Sequence, residues 1–293
     1  MSLNEELNDG FIFVNQVKSR KQKNRRKYKL SENQLKLLND LKLNSSENQL
    51  NSNLLKSKID LCVQQLNESL YLKNVFNAIS RCLQIKFGSE SIGISGQLSQ
   101  IICYGLGNFT TSADSLYQLT LLLSLKDFCK TDRIYIFDPI FTENEKIFLK
   151  EELNLTLIEK NEKCIHPIDS SSDQMVMFFM PHCDKSLFNN ILWSNWDSKR
   201  LQNILIFGNS FERISETIGS KRTAKLFYRY LTEMTDSLDG VLIEIKVENS
   251  FTPKQVFNDL SIHGFNGHKI EEQLLQTIHR NEEPIYEEEG DVL

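Results

Sequence analysis

The sequence lacks any stretch of about 18 apolar residues, so a membrane-spanning helix is not expected. Its first ten residues, Met1 to Gly10, are polar and acidic rather than basic and then apolar, which predicts no secretory leader. CxxC pairs are missing as well. The six cysteines stand scattered at Cys62, Cys82, Cys103, Cys129, Cys164 and Cys183, a usage that suits a reducing compartment in which thiols serve as small core residues. No second His/Cys pair stands at zinc spacing, so no metal site is expected. These absences together predict a soluble intracellular protein without a membrane partner.

What is present divides unevenly along the chain. Composition is that of a globular protein, 40% hydrophobic and 25% charged, enough to bury a substantial core. The net charge of -5 conceals two opposed ends. Between Lys18 and Lys29 stand eight Lys or Arg residues and no acid, while Glu282, Glu283, Glu287, Glu288, Glu289 and Asp291 form an acidic tail. The basic run fits a nuclear-import signal or a phosphate-seeking patch, against the plain alternative of a solvated tail. Localisation is therefore expected to be cytoplasmic, and nuclear if the run acts as an import signal. Outside this segment the chain is mildly acidic, and strong nucleic-acid binding is not expected.

Four regions follow. Residues 1–53 are basic and Asn/Ser-rich, with too few apolar residues to offset ordering entropy. Residues 54–95 form a helical extension, in which Ile59, Val63, Leu66, Leu70, Val75, Ile79 and Leu83 recur at helical spacing. Residues 96–270 alternate strand and helix, and residues 271–293 are the acidic tail. Strands are expected over Ile101–Gly105, Arg133–Asp138, Leu155–Ile158, Met175–Met180, Asn203–Phe207 and Val241–Val247. Thr142 and Glu145 carry a capping-box pattern, and one long helix is expected through Leu226 to Met234. The stretch from Thr252 to His268 reads as loop with at most a short strand. Strands this apolar are buried on both faces, and helix-length connections imply right-handed crossovers. The expected fold is α/β, a Rossmann-like, doubly wound, mainly parallel sheet with an N-terminal helical extension.

Ligands of such sheets bind outside the carboxyl ends of the strands. The expected strand ends carry Gly105, Gly107 and Asn108; Asp138; Pro181, His182 and Cys183; and Asn209 and Ser210. The two glycines permit either a tight turn or close approach of a nucleotide-like ligand to backbone amides. A full dinucleotide fingerprint would need glycine at 110, where Thr110 stands, and the methyl-donor version would place an acid where Cys103 stands. Asp138 fits a ribose-binding carboxylate or the start of a turn before Pro139. His182 fits a ligand contact or a cap, and haem ligation by His182 and Cys183 ranks last. Gly208-Asn209-Ser210 opens like a nucleophile elbow but has Glu212 where glycine is required, so Asn209 and Ser210 fit a cap or a ligand contact better. No catalytic residue is assigned. The candidate ligand-binding set is Gly105, Gly107, Asn108, Asp138, Pro181, His182, Asn209 and Ser210.

Read in order, these clusters resemble a known family. Tyr104-Gly105-Leu106-Gly107-Asn108-Phe109 is followed by Asp138-Pro139-Ile140-Phe141 with Glu143 and Glu145. Met180-Pro181-His182-Cys183, Asn195-Trp196, Gly208-Asn209-Ser210-Phe211 and Phe257-Asn258-Asp259 come next. The series resembles the Sensitivity-to-Red-light-Reduced family over roughly residues 70–268, and Asp9-Gly10-Phe11 resembles its start, with phenylalanine in place of tryptophan. The resemblance implies a regulator, with a clock-input role in plants and links to haem biosynthesis and clock-gene expression in animals. It assigns no reaction. The expectation is a regulatory domain that binds a small molecule or a protein partner. The alternative is a methyltransferase-like enzyme using S-adenosylmethionine or another nucleotide-like ligand.

Overall fold

The computed structural model describes residues 51–88, 98–218, 222–277 and 282–286. The basic run from Lys18 to Lys29 and the start of the chain lie outside the described residues.

Seven strands form one sheet: β1 Leu98–Tyr104, β2 Ile134–Phe137, β3 Thr156–Leu157, β4 Met175–Met180, β5 Ile204–Asn209, β6 Leu242–Lys246 and β7 Leu260–Phe265. Their order is β3-β2-β1-β4-β5-β7-β6. The first five run parallel, and β7 pairs antiparallel with both β5 and β6. The order reverses between β1 and β4, so the crevice of a doubly wound sheet falls at their carboxyl ends. This is a mainly parallel, Rossmann-like α/β fold.

Strand residues alternate between two cores. Ile101, Cys103, Ile136, Met177, Phe179, Leu205 and Ile262 face a layer made by α1 Ser52–Glu68, α2 Tyr71–Phe87, α3 Ala113–Cys129 and α4 Glu143–Ile147. A single π-helical turn, Phe148–Glu152, continues α4. Ile102, Tyr104, Phe178, Met180, Ile204 and Ile206 face the other layer. That layer holds α5 Lys185–Ser194, α6 Ser198–Leu201, α7 Phe211–Ile218, α9 Arg229–Asp236 and α10 Gly267–Thr277. The helical extension packs on the strand-and-helix region, with α1 on α3 and α2 across β6 and β7.

Four expectations change. The first strand begins earlier, at Leu98, and stops at Tyr104, because Gly105 turns away at φ 69°. The third shrinks to two residues at the sheet edge, where it has β2 alone as a neighbour. The long helix is two, α8 Arg222–Phe227 and α9, since the Asn189 side-chain oxygen accepts the amides of Tyr230 and Leu231 and so starts a new helix after Tyr228. Finally, the supposed loop before His268 contains β7, every residue of which is buried. Its Ser, His and Gly hid a strand that becomes apolar in effect once His263 is engaged. That imidazole donates through Nδ1 to the Ile206 carbonyl at 3.2 Å and stacks on Phe211 at 3.9 Å.

Candidate functional site

The candidate residues gather at the carboxyl ends of β1, β2, β4 and β5. Gly105 and Gly107 both adopt left-handed backbone, φ 69° and 81°, a region that L side chains enter at a cost. Each also lacks room for a Cβ, which would stand 2.5 Å from Cys183 Sγ at Gly105 and 2.5 Å from Ser115 Oγ at Gly107. The glycines are therefore required by packing of the chain on itself. Asn108 forms a local turn, its side-chain oxygen accepting Thr111 N at 3.0 Å and the hydroxyls of Thr110 and Thr111.

Asp138 is buried and bridges two loops. One carboxylate oxygen accepts Gly107 N at 2.7 Å and the other accepts Ile140 N at 3.0 Å. Beside it Glu145 is fully buried. One of its oxygens closes the capping box on Thr142 at the start of α4, and the other accepts Thr110 N at 3.0 Å. Two carboxylates thus fasten the β1 loop to the β2 loop.

The β4 and β5 ends are fastened in the same way. Asn209 accepts His182 N at 2.7 Å and donates to the Cys183 carbonyl at 3.1 Å. His182 sits at φ 57° after the buried Pro181, and its Nε2 donates to the Val256 carbonyl at 3.0 Å. The Cys183 thiol donates to the Tyr104 carbonyl at 3.3 Å, and burial pushes it far above the ordinary thiol range. Cys103 is pushed up likewise by burial, then by Cys183 and Asp138. These thiols stay protonated near neutral pH and are poor nucleophiles. Haem ligation by His182 and Cys183 would require breaking both side-chain contacts. Ser210 is buried, its hydroxyl accepting Arg213 N at 3.2 Å in the capping role.

The candidate side chains are consequently joined in a lattice in which they hold one another and the loop backbones. Exposed apolar surface stands beside it, with Ile140 at 59% and Ile147 at 51%. Among the described residues no group of three or more His, Cys, Asp or Glu gathers to hold a metal, and no helix is long and apolar enough to cross a membrane. An open groove of about 420 Å³ lies between α7, α8, α9 and β6, next to the Ser210 end of the rim, and is lined by Glu212, Glu216, Lys225, Asp236 and Glu244 among others.

Sequence reasoning passed over Glu162 and His166. Both lie in the β3–β4 connection, and they meet Tyr104 only in the folded chain, 58 and 62 residues away in sequence. Neither carries a motif, so spacing gave no signal for them.

A family model described as the SRR1 domain matches residues 62–264. An SRR1-like protein of Mus musculus is 31% identical over 153 residues, 52% of this chain and 59% of the relative. An SRR1-like protein of Drosophila melanogaster is 30% identical over 177 residues, 59% of this chain and 57% of the relative. The Protein SENSITIVITY TO RED LIGHT REDUCED 1 of Arabidopsis thaliana is 28% identical over 172 residues, 56% of this chain and 58% of the relative. The chain therefore spans less than two thirds of the length of the curated relatives it matches. Because the matched span takes in both halves of the sheet and every strand-end cluster of the rim, the chain belongs to the SRR1 domain family.

Proposed function

We propose that this chain is a regulatory protein of the SRR1 type that works by binding, with the carboxyl rim of its Rossmann-like sheet as a rigid docking surface for a protein partner or a small molecule. The observation that carries this reading is the engagement of the rim's polar side chains with one another. Asp138, Asn209, His182 and Cys183 each hold another part of the chain. At these four positions no side chain is left with a free lone pair or proton of the kind that proton transfer or nucleophilic attack uses. The finer proposals are a role in clock input or clock-gene expression and in regulation of haem biosynthesis. They draw their support from the family resemblance, whereas action in the cytoplasm draws its support from the scattered cysteines, which suit a reducing compartment. Action in the nucleus draws its support from the basic run.

A second reading is favoured by the topology. Insertion of a reversed strand between the fifth and sixth strands is also the arrangement of Rossmann-like methyltransferases that use S-adenosylmethionine, a likeness of fold alone. A thermal-shift panel separates the two readings, with S-adenosylmethionine, S-adenosylhomocysteine, NAD, NADP, nucleotides and haem as probes. A ligand at 100 times its Kd stabilises a fold by about 2.7 kcal/mol. The binding-regulator reading expects no shift with S-adenosylmethionine and no methyl transfer. A clear shift with S-adenosylmethionine, accompanied by turnover to S-adenosylhomocysteine, would replace it with the enzyme reading.

A further inference from the structure

In a doubly wound sheet a helix covers the face at each crossover, yet residues 158–174 between β3 and β4 form no helix. The face of β2 beneath that crossover stays partly open, leaving Tyr135 and Phe137 half-buried. Phe137 is in register with Tyr104, the last residue of β1, beside the point where strand order reverses.

The connection crosses this surface in a strained turn. Glu162 to Ile165 closes through Ile165 N to the Glu162 carbonyl at 2.8 Å, and its two central residues, Lys163 and Cys164, both lie in the left-handed region at φ 52° and 58°. That geometry ordinarily selects Asn-Gly. Here it is held by fully buried amides instead. Asn190 donates to the Lys163 carbonyl at 2.8 Å, while Asn195 donates to the His166 carbonyl at 2.9 Å and accepts Ile168 N at 2.9 Å. Strain over-determined by its surroundings is a mark of a placed functional group.

The turn places Glu162 and His166 against Tyr104. Glu162 Oε2 accepts the Tyr104 hydroxyl at 2.7 Å and His166 Nδ1–H at 2.9 Å. A carboxylate that accepts from Nδ1 fixes the tautomer of the neutral ring, in which Nε2 is the acceptor. Among the described residues Nε2 has no protein partner, and the His166 side chain is 27% exposed.

We propose that Tyr104, Glu162 and His166 form a preorganised subsite for a small planar ligand, with His166 Nε2 accepting a hydrogen bond from an amino or hydroxyl group of that ligand. Tyr135 and Phe137 supply the apolar surface for its ring. His166 is the ligand-facing group, and Glu162 and Tyr104 are positioning residues.

The test needs no ligand, so its outcome is independent of the thermal-shift panel. Imidazole nitrogen shifts of the labelled full chain are expected to show His166 protonated at Nδ1 and bare at Nε2. Diethylpyrocarbonate, followed site by site by peptide mass, should modify His166 Nε2 severalfold more slowly in Glu162→Ala than in the native chain, because without the carboxylate the tautomer that carries its proton on Nε2 gains population. The exposed His268 serves as an unchanged reference, and the buried His263 should stay unmodified in both. Glu162→Gln, which keeps an acceptor for Nδ1–H, should retain the tautomer and restore most of the rate. A proton on Nε2 in the native chain, or equal His166 rates in the native chain and Glu162→Ala, would overturn the proposal.

Discussion

At Gly105 two independent constraints coincide, a left-handed backbone and a neighbouring sulfur 2.5 Å from where a Cβ would stand. Gly105→Ala is expected to cost about 3 kcal/mol, from about 1–2 for the backbone and the remainder for overpacking. Adding Cys183→Ala should return the steric part and leave the backbone part, so urea denaturation of both single variants and the double variant should show coupling. If the two costs simply added, the contact with Cys183 would not be what forbids a side chain. Position by position, the rim was visible in the sequence as unusual residues after apolar runs. Their partners were not visible. Asp138 sits where a ribose carboxylate would sit, yet its oxygens accept Gly107 N and Ile140 N, and only the folded loops reveal that use.

At the scale of elements, the local signals were the dependable ones. Thr142 and Glu145 announced the start of α4, and both halves of the capping box form. Glu145 does more than cap, since it also accepts Thr110 N across 35 residues. Thr142→Ala should therefore cost about 1 kcal/mol, as an ordinary cap does. Glu145→Ala should cost about 3 kcal/mol by stripping the acceptor from amides on two loops. Denaturant midpoints would check the ranking, and equal losses would mean that the bond to Thr110 contributes nothing. Where an element depends on distant partners the local signal misleads. β7 reads as loop because Ser261, His263 and Gly264 are poor strand advertisements, while burial between β5 and β6 makes it a central strand. The break at Tyr228 has the same origin, because the side chain that caps α9 belongs to Asn189 on α5.

For the molecule as a whole, acid stability should depend on Glu244. Burial alone would raise its carboxyl, but the neighbouring His263 imidazole, whose Nε2 lies 3.7 Å away, with help from the Ser210 hydroxyl, outweighs burial and holds it at about 2. A carboxyl lowered on folding contributes stability that is complete above its unfolded value near 4.5 and is lost as pH falls through about 2. Urea midpoints followed from pH 6 to pH 2 should fall along this limb in the native chain and fall less steeply in Glu244→Gln. Parallel curves would place the acid-sensitive group elsewhere.

From the order of amino acids alone come the class of the fold, the parallel half of the sheet, the buried thiols and the order of strand-end clusters that marks the family. Each of these follows from contiguous apolar runs or fixed local spacings, which the chain carries wherever it folds. Tertiary structure alone decided the reversed strand, the split of one helix into two, and the mutual engagement of the rim. It also decided the meeting of Tyr104 with Glu162 and His166. The reason is common to all four. A polar side chain has several possible hydrogen-bond partners of equal chemistry, and burial selects among them only after distant segments have packed.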